Sequence, residues 1–276
     1  MTTLFAPLAS SSSGNALLAV SGQTRLLVDA GISLRRLTAA LSAFDIKPED
    51  LTAVLITHEH SDHVSGLPLL AARTSVPIYT SRGTAAALAA KTPALSVRLR
   101  AFASGDSFEA ASAGVETFST PHDTPDSVGY ILHLDSFRAA VVTDLGHVPD
   151  WLPGRLAGTE AILLESNHDI GLLRAGGYPA FLKRRISGDR GHLSNEHASR
   201  AAILCARSGT KHIVLGHLSR ENNRPDLAYS TTYDALTAAG VRVGRDVTLE
   251  VAPPVFGVVA DSISAQSCSR QYSSGY

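Results

Sequence analysis

The sequence predicts an α/β fold in which helices cover a sheet core, and three observations carry that prediction. Short apolar runs alternate with stretches of helical period along the chain. Residues able to do chemistry stand at the ends of the apolar runs, not inside them. Hydrophobic residues make up 44% of the 276 positions, enough to bury a large core.

Taken in order, 17–20 and 25–29 pair as strands around the turn Ser21-Gly22-Gln23-Thr24. Residues 32–44 are helical in period, with Leu34, Leu37 and Leu41 on one stripe. A buried strand follows at 51–56, closing on Val54, Leu55 and Ile56. Helices are expected at 64–74 and 83–91, separated by a strand at 76–79. Strands dominate 97–144, including a hairpin of 128–134 and 138–143 that turns at Asp135-Ser136. Beyond it come a buried strand at 160–165, a helix at 195–208, a strand at 212–215, a helix at 229–239 and an extended stretch at 241–251. Residues 1–260 are expected to form a single domain. The tail 261–276, with six serines and a glycine in 16 residues, is expected to be flexible and is assigned no function.

Composition sets outer limits. No window reaches the roughly 18–20 apolar residues a membrane span needs. The start lacks the basic-then-apolar pattern of a secretory signal. Cys205 and Cys268 have no metal-like spacing and read as free thiols in a reducing compartment, so a cytoplasmic location is expected. Net charge is −1, from 24 basic and 25 acidic residues, which argues against non-specific binding to nucleic acid through overall charge. It leaves room for a local patch. Lys183, Arg184, Arg185 and Arg190 run up to Gly191-His192, and Arg200, Arg220 and Arg224 follow. The planar guanidinium of arginine suits phosphate oxygens, although a solvated helix end would look the same.

The densest chemistry is Thr57 to His63, THEHSDH, which packs three histidines and two carboxylates into seven residues directly after the 51–56 strand. His58 and His60 are two apart, so an extended backbone projects them to one side. Asp62 and His63 follow where the chain turns into a helix. Neutral imidazole and carboxylate are the ligands that borderline divalent metals prefer, and this density points to a metal site.

With that segment the sequence resembles the metallo-β-lactamase superfamily of metallohydrolases, and the resemblance implies a four-layer αββα sandwich. It also implies further ligands at the ends of other apolar runs, where His122, Asp144 and His217 stand. The family pattern implies His58, His60 and His122 on one metal and Asp62, His63 and His217 on the second, with Asp144 bridging. Asp29, in Leu26-Leu27-Val28-Asp29-Ala30-Gly31, matches the aspartate that supports the site from outside the ligand set. The finer resemblance is to the YycJ/WalJ-like branch of DNA exonucleases and related phosphodiesterases. Ser10-Ser11-Ser12-Ser13-Gly14-Asn15, Glu165-Ser166-Asn167-His168-Asp169, Gly191-His192-Leu193-Ser194-Asn195 and Gly216-His217-Leu218-Ser219-Arg220-Glu221-Asn222-Asn223 carry it. The branch usually has a glycine inside the first segment, where this chain has only serine before Gly14.

The resemblance implies two divalent ions, zinc or manganese with iron as an alternative. The hydroxide between them would attack a phosphodiester at the 5′ end of DNA. Asp62 and Asp144 are expected to serve that chemistry as ligands. His192 is the candidate for stabilising the leaving oxygen, its alternative being a surface histidine beside a helix cap formed by Ser194 or Asn195. His168 is the second candidate, or it and Asn167 orient a loop. Ser12, Ser13, Gly14 and Asn15 are candidate phosphate donors, and Asn167, Ser194, Asn195, Ser219, Asn222 and Asn223 complete the expected substrate contacts. His133, His147, His197 and His212 are expected to be structural. The competing function is a glyoxalase-II-like thioesterase or a lactonase, which would keep all seven ligands. A β-lactamase fits less well because its branches generally lack the bridging aspartate. The RNA-processing β-CASP branch needs an inserted domain, and His217 follows Asp144 by only 73 positions.

Overall fold

A computed structural model describes residues 3–135, 137–253 and the backbone of 263–264. The first sheet contains β1 (Thr3–Ser11), β2 (Gly14–Ser21), β3 (Thr24–Val28), β4 (Ala53–Ile56), β5 (Ile78–Ser81) and β6 (Leu99–Phe102) in that spatial order. The second contains β7 (Ser107–Ala110), β8 (Ala113–Ser119), β9 (Val128–Leu134), β10 (Phe137–Val142), β11 (Ala161–Glu165), β12 (His212–Gly216) and β13 (Thr248–Val251), also as neighbours in sequence order. Ile263–Ser264 pairs antiparallel with β1 at the outer edge of the first sheet, and the remainder of the 261–276 tail lies outside the described residues.

Each sheet begins as antiparallel hairpins and ends in parallel strands. β3 to β6 are parallel in the first sheet, and β10 to β13 in the second. Parallel strands need crossover connections, and those connections carry the helices. α1 (Leu34–Ser42), α3 (Leu67–Arg73) and α4 (Arg82–Lys91) belong to the first half. α8 (Asn195–Arg207) and α9 (Pro225–Ala238) belong to the second.

Period-two alternation makes the four layers. Leu26 and Val28 of β3 meet Tyr130, Val141, Leu163 and Val214 of the other sheet in one buried cluster. Leu27, between them, faces outward onto Leu37 and Leu41 of α1 and Leu67 and Leu70 of α3. In β11, Ala161 and Leu163 face the other sheet, while Ile162 and Leu164 pack outward with Ala201, Ala202 and Cys205 of α8 and Leu236 of α9. This is the αββα sandwich expected. Among the described residues no helix is long and apolar enough to cross a membrane.

Three departures from expectation have local causes. The serine-rich stretch is a hairpin: β1 runs to Ser11, Ser12-Ser13 turns, and Ser11 faces Gly14 across it. The 241–251 stretch is strand only at Thr248–Val251, because Gly244 has a positive φ of 87° and turns the chain before it. Three helices had no forecast of their own, α5 (Leu152–Arg155), α6 (Ile170–Ala175) and α7 (Ala180–Ile186). Helix α7 buries none of its residues, so it has no apolar stripe for periodicity to reveal.

Candidate metal centre

Four residues of the centre and its support Asp29 leave strand ends directly. Asp29 follows β3, His58 and His60 follow β4, and Asp144 and His217 leave β10 and β12. The last of these turns is tight. Asp29, Asp144 and His217 take left-handed backbone conformations, with φ of 60°, 61° and 56°. Such values are uncommon outside glycine, though Asp and His reach them more readily than most residues. The reversal turns each chain sharply out of its strand at the rim where the two sheets meet. His122 comes three residues beyond β8, its backbone N–H bonded to the Thr120 carbonyl. Asp62 and His63 lie in α2 (Ser61–Val64), a single turn that brings both to the same side as the histidines.

Four overlapping groups of side chains among the described residues could hold an ion. Two of them are those the family pattern implies, and the others are His58 with His63 and Asp144, and Asp144 with Glu165, His192 and His217. His58, His60 and His122 converge, as do Asp62, His63 and His217. Asp144 stands between them: Oδ1 lies 3.6 Å from His122 Nε2 and 3.6 Å from His217 Nε2, and Oδ2 lies 3.4 Å from His63 Nε2. Asp62 Oδ2 is 3.4 Å from His63 Nε2 and 3.3 Å from His217 Nε2. Ligands ~2.1 Å from one tetrahedral ion stand about 3.4 Å apart, so these separations are those of donors around a shared cation. Two buried atoms support that fit by having no hydrogen-bond partner, His58 Nε2 and Asp144 Oδ2. The donor set, imidazole and carboxylate only, suits divalent metals.

The electrostatics agree. Burial pushes His58 and His122 below the usual imidazole range, leaving them neutral and able to coordinate. Burial also opposes charge on His63 and His217, but Asp144 and the neighbouring carboxylates outweigh it. They hold His63 well above its ordinary value and raise His217 to about 10. Burial opposes charge on Asp62 as well, yet His63 and His217 hold its carboxyl well below the carboxylate range. Protons on these two imidazoles balance negative charge that cations would otherwise balance.

The supports are specific. Asp29 Oδ2 accepts from His63 Nδ1 at 2.8 Å, and Oδ1 accepts from the Thr57 backbone N–H at 2.9 Å. This sets the His63 tautomer and leaves Nε2 facing the cluster. His122 Nδ1 donates to the Gly191 carbonyl at 3.0 Å. Glu165, absent from the sequence-derived site, is fully buried and organises the second sheet's side of the centre. Its Oε1 accepts from His192 Nδ1 at 2.8 Å and His217 Nδ1 at 2.9 Å, and its Oε2 accepts from the backbone N–H groups of Leu145 and Leu193. Glu165 closes an apolar run as Asp144 and His217 do, so the same signal was present. Asp123 was also missed. Its Oδ1 lies 3.5 Å from His122 Nε2 and 3.7 Å from His60 Nε2, while Oδ2 accepts from Arg185 of α7 at 2.5 Å.

The centre opens into a cavity of about 370 Å³. Ser12, Asn167, His192 and Ser219 line it, together with Tyr178, Leu182, Arg185 and Ile186 from the α6–α7 segment. Other expected substrate contacts are placed elsewhere. Asn195 is fully buried and binds Ser166 Oγ and Asn223, and Asn223 donates to the Ser166 and Asn167 carbonyls. Asn222 bonds to Ser219 Oγ through its backbone and side-chain amides. Buried amides tie these loops together because each backbone group there needs a partner, and their side chains do not face the cavity. Ser194 caps α8, accepting from His197 N–H. Ser13 is exposed and bonds to Ser11, while Gly14 packs against Gly31, where a Cβ would come within 2.9 Å of a carbonyl. Asn15 donates to the Ser11 carbonyl and lies 3.1 Å from His63 Nε2. His168 lines a neighbouring pocket, not the main cavity. Of the histidines set aside as structural, His133 pairs with Glu116, His147 with the Asp189 carbonyl and His212 with Thr248.

A profile of the family described as Beta-lactamase superfamily domain matches residues 24–218. The chain belongs to the β-lactamase superfamily. Within the superfamily it is 38% identical over 242 residues to exodeoxyribonuclease WalJ of Streptococcus pneumoniae, covering 87% of this chain and 90% of that protein. It is 37% identical to exodeoxyribonuclease YycJ of Bacillus anthracis, with coverage of 87% and 92%. These matches agree with the branch that the sequence motifs resemble. The zinc-bound structure of PqqB from Methylobacterium extorquens superposes with a TM-score of 0.69 at 20% identity, over 96% of this chain and 99% of that one, which confirms the superfamily fold.

Proposed function

We propose that the chain is a two-metal phosphodiesterase that removes nucleotides from a DNA end, the 5′ end by analogy with its branch, in the cytoplasm. Residues 1–260 act as one hydrolase domain in this reading. The observation that carries it is Asp144 lying within 3.4–3.6 Å of His63, His122 and His217, members of two groups that could each hold an ion, in a chain similar over most of its length to proteins named exodeoxyribonucleases. His58, His60 and His122 would hold one ion, Asp62, His63 and His217 the other, and Asp144 would touch both. Zinc or manganese in those places would acidify water and offset charge on phosphoryl oxygens.

The chain's own residues supply the rest. Asp29 and Glu165 hold His63 and His217 so that Nε2 of each faces inward. His192 lines the cavity and is bound to Glu165 through Nδ1, and in this reading its other nitrogen gives a proton to the leaving oxygen. Ser12, Asn167 and Ser219 are at hand as donors to phosphate oxygens.

The test is digestion of end-labelled single- and double-stranded DNA with zinc or manganese, beside a chelated control and the His60→Ala variant. Nucleotide release that needs metal and His60 is expected, with the label showing which end is attacked. Silence on DNA with turnover of a thioester would overturn the phosphodiester reading and favour the thioesterase. His192→Ala is expected to keep its metals and slow hydrolysis roughly 100-fold or more.

A further inference from the structure

A second pocket adjoins the metal centre through His192, and no part of the proposed hydrolysis uses it. It holds about 310 Å³ and is lined by His168, Arg174, Lys183, Ser187, His192 and His197, over a floor of Ile170 and Leu173. No carboxylate lines it. Glu165 and Glu196 influence His168 electrostatically, but Glu165 is committed to His192 and His217 and neither acid reaches the pocket wall. Lys183 is held in place by a 2.6 Å bond from Nζ to the Arg174 carbonyl. The pocket therefore offers fixed positive charge to an anion.

His168 is the independent sign of a ligand. It is 2% exposed, and its Nδ1 is buried without a hydrogen-bond partner. A buried polar atom without a partner is a standing cost, so a pocket-lining residue that carries one marks a place where a ligand's polar group would be favoured. Burial lowers the imidazole to about 4, which leaves it neutral at physiological pH and able to donate one N–H. The size is close to the ~300 Å³ lower bound of small-ligand pockets, too large for one water and suited to a phosphate with its sugar. His192 Nδ1 lies 3.7 Å from Asp144 Oδ1, so the wall shared by the two pockets is a single side chain from the ligand that joins the metal groups.

We propose that this pocket binds the nucleotide next to the scissile phosphate, with His168, Arg174 and Lys183 holding that nucleotide's own phosphate and Ile170 and Leu173 receiving its sugar. The assignment rests on the phosphodiesterase reading and deepens it. It gives the enzyme a grip on polymer that a single phosphodiester cannot exploit.

The experiment uses the metal-loaded protein and a 3′-fluorescein thymidine trinucleotide with phosphorothioate linkages, read by anisotropy. Bis(4-nitrophenyl) phosphate, with one phosphate only, reports on the metal centre in parallel. Arg174→Glu and Lys183→Glu are each expected to weaken the trinucleotide by about tenfold or more, well beyond any change in KM for the small diester. His168→Gln, which retains a donor, should lose less. Arg174 is exposed, so its replacement leaves the fold alone. Unchanged trinucleotide affinity in both reversals would overturn the subsite, and so would equal losses on the two substrates. Competition by inorganic phosphate as strong as by thymidine monophosphate would reassign the pocket to free phosphate and overturn the nucleotide role. A wild-type protein inert toward both the small diester and DNA would instead refute the phosphodiesterase reading, while the trinucleotide affinities would still decide the pocket.

Discussion

Replacing Glu165 with Gln changes one atom's chemistry and almost no volume, yet the hydrogen-bond arithmetic around it is strict. Four donors converge on the carboxylate: two imidazole N–H groups on Oε1 and two backbone N–H groups on Oε2. Glutamine has one acceptor oxygen and one NH2, so two of the four donors must face another donor. If the NH2 faces Leu145 and Leu193, two buried backbone N–H groups lose their acceptor at about 1–3 kcal/mol each, or roughly 2–6 kcal/mol together. If it faces the histidines, His217 must give up its Nδ1 proton and carry it on Nε2, the atom directed at Asp62 and Asp144. Either arrangement harms the centre, the first through stability and the second by blocking coordination. Loss of metal affinity of about 10- to 100-fold is the usual scale for such supports. Urea denaturation read with metal stoichiometry by mass spectrometry separates the two routes. A Glu165→Gln protein with both metals bound at wild-type affinity and an unfolding free energy within about 0.5 kcal/mol of wild type would refute this account of Glu165.

Metal uptake should depend on pH in a defined direction. His217 is raised to about 10 and His63 lies above its ordinary value, so near pH 7 both carry protons that a coordinating ion must displace. Affinity should therefore rise with pH, about tenfold per unit for each proton released, and level off as the folded-state value of His217 is passed. Calorimetric titration in two buffers of different ionisation heat measures that release, and none at pH 7 would contradict the assignment of these imidazoles as ligands. Gly31→Ala should destabilise by about 1–3 kcal/mol and weaken the ion held by Asp62. A Cβ there would sit 1.7 Å from the Asp62 carbonyl oxygen. Wild-type stability with two metals bound in that variant would show that the 31–62 contact is not a constraint.

The sequence by itself determined a sheet core covered by helices and the places where polar residues leave the strands, for one reason. A strand buried on both faces must be apolar throughout, so the first polar residue beyond it marks the rim of the sheet. Val141-Val142-Thr143-Asp144 and Ile213-Val214-Leu215-Gly216-His217 show this in the letters alone. Asp144 and His217 stand at such ends and became candidates through the family resemblance, whereas His58, His60, Asp62 and His63 stood out through their density. Tertiary structure alone decided which of them face one another. The order β10-β11-β12 sets Glu165 between the ends of its neighbours, and the approach of the two sheets brings His63 within 3.4 Å of Asp144, 81 positions later. The Asn195, Asn222 and Asn223 network looked like substrate contacts because a polar residue in a motif has the same letter whether it faces a cavity or a buried backbone. Helix α7 surfaced only as an alternative reading of its basic residues, because burial creates periodicity and α7 buries nothing, although its Arg185 reaches Asp123 beside the candidate metal ligands. Local pattern records what a residue's own element must bury. Contacts between elements far apart in the chain depend on sheet order and register, which only the folded chain contains.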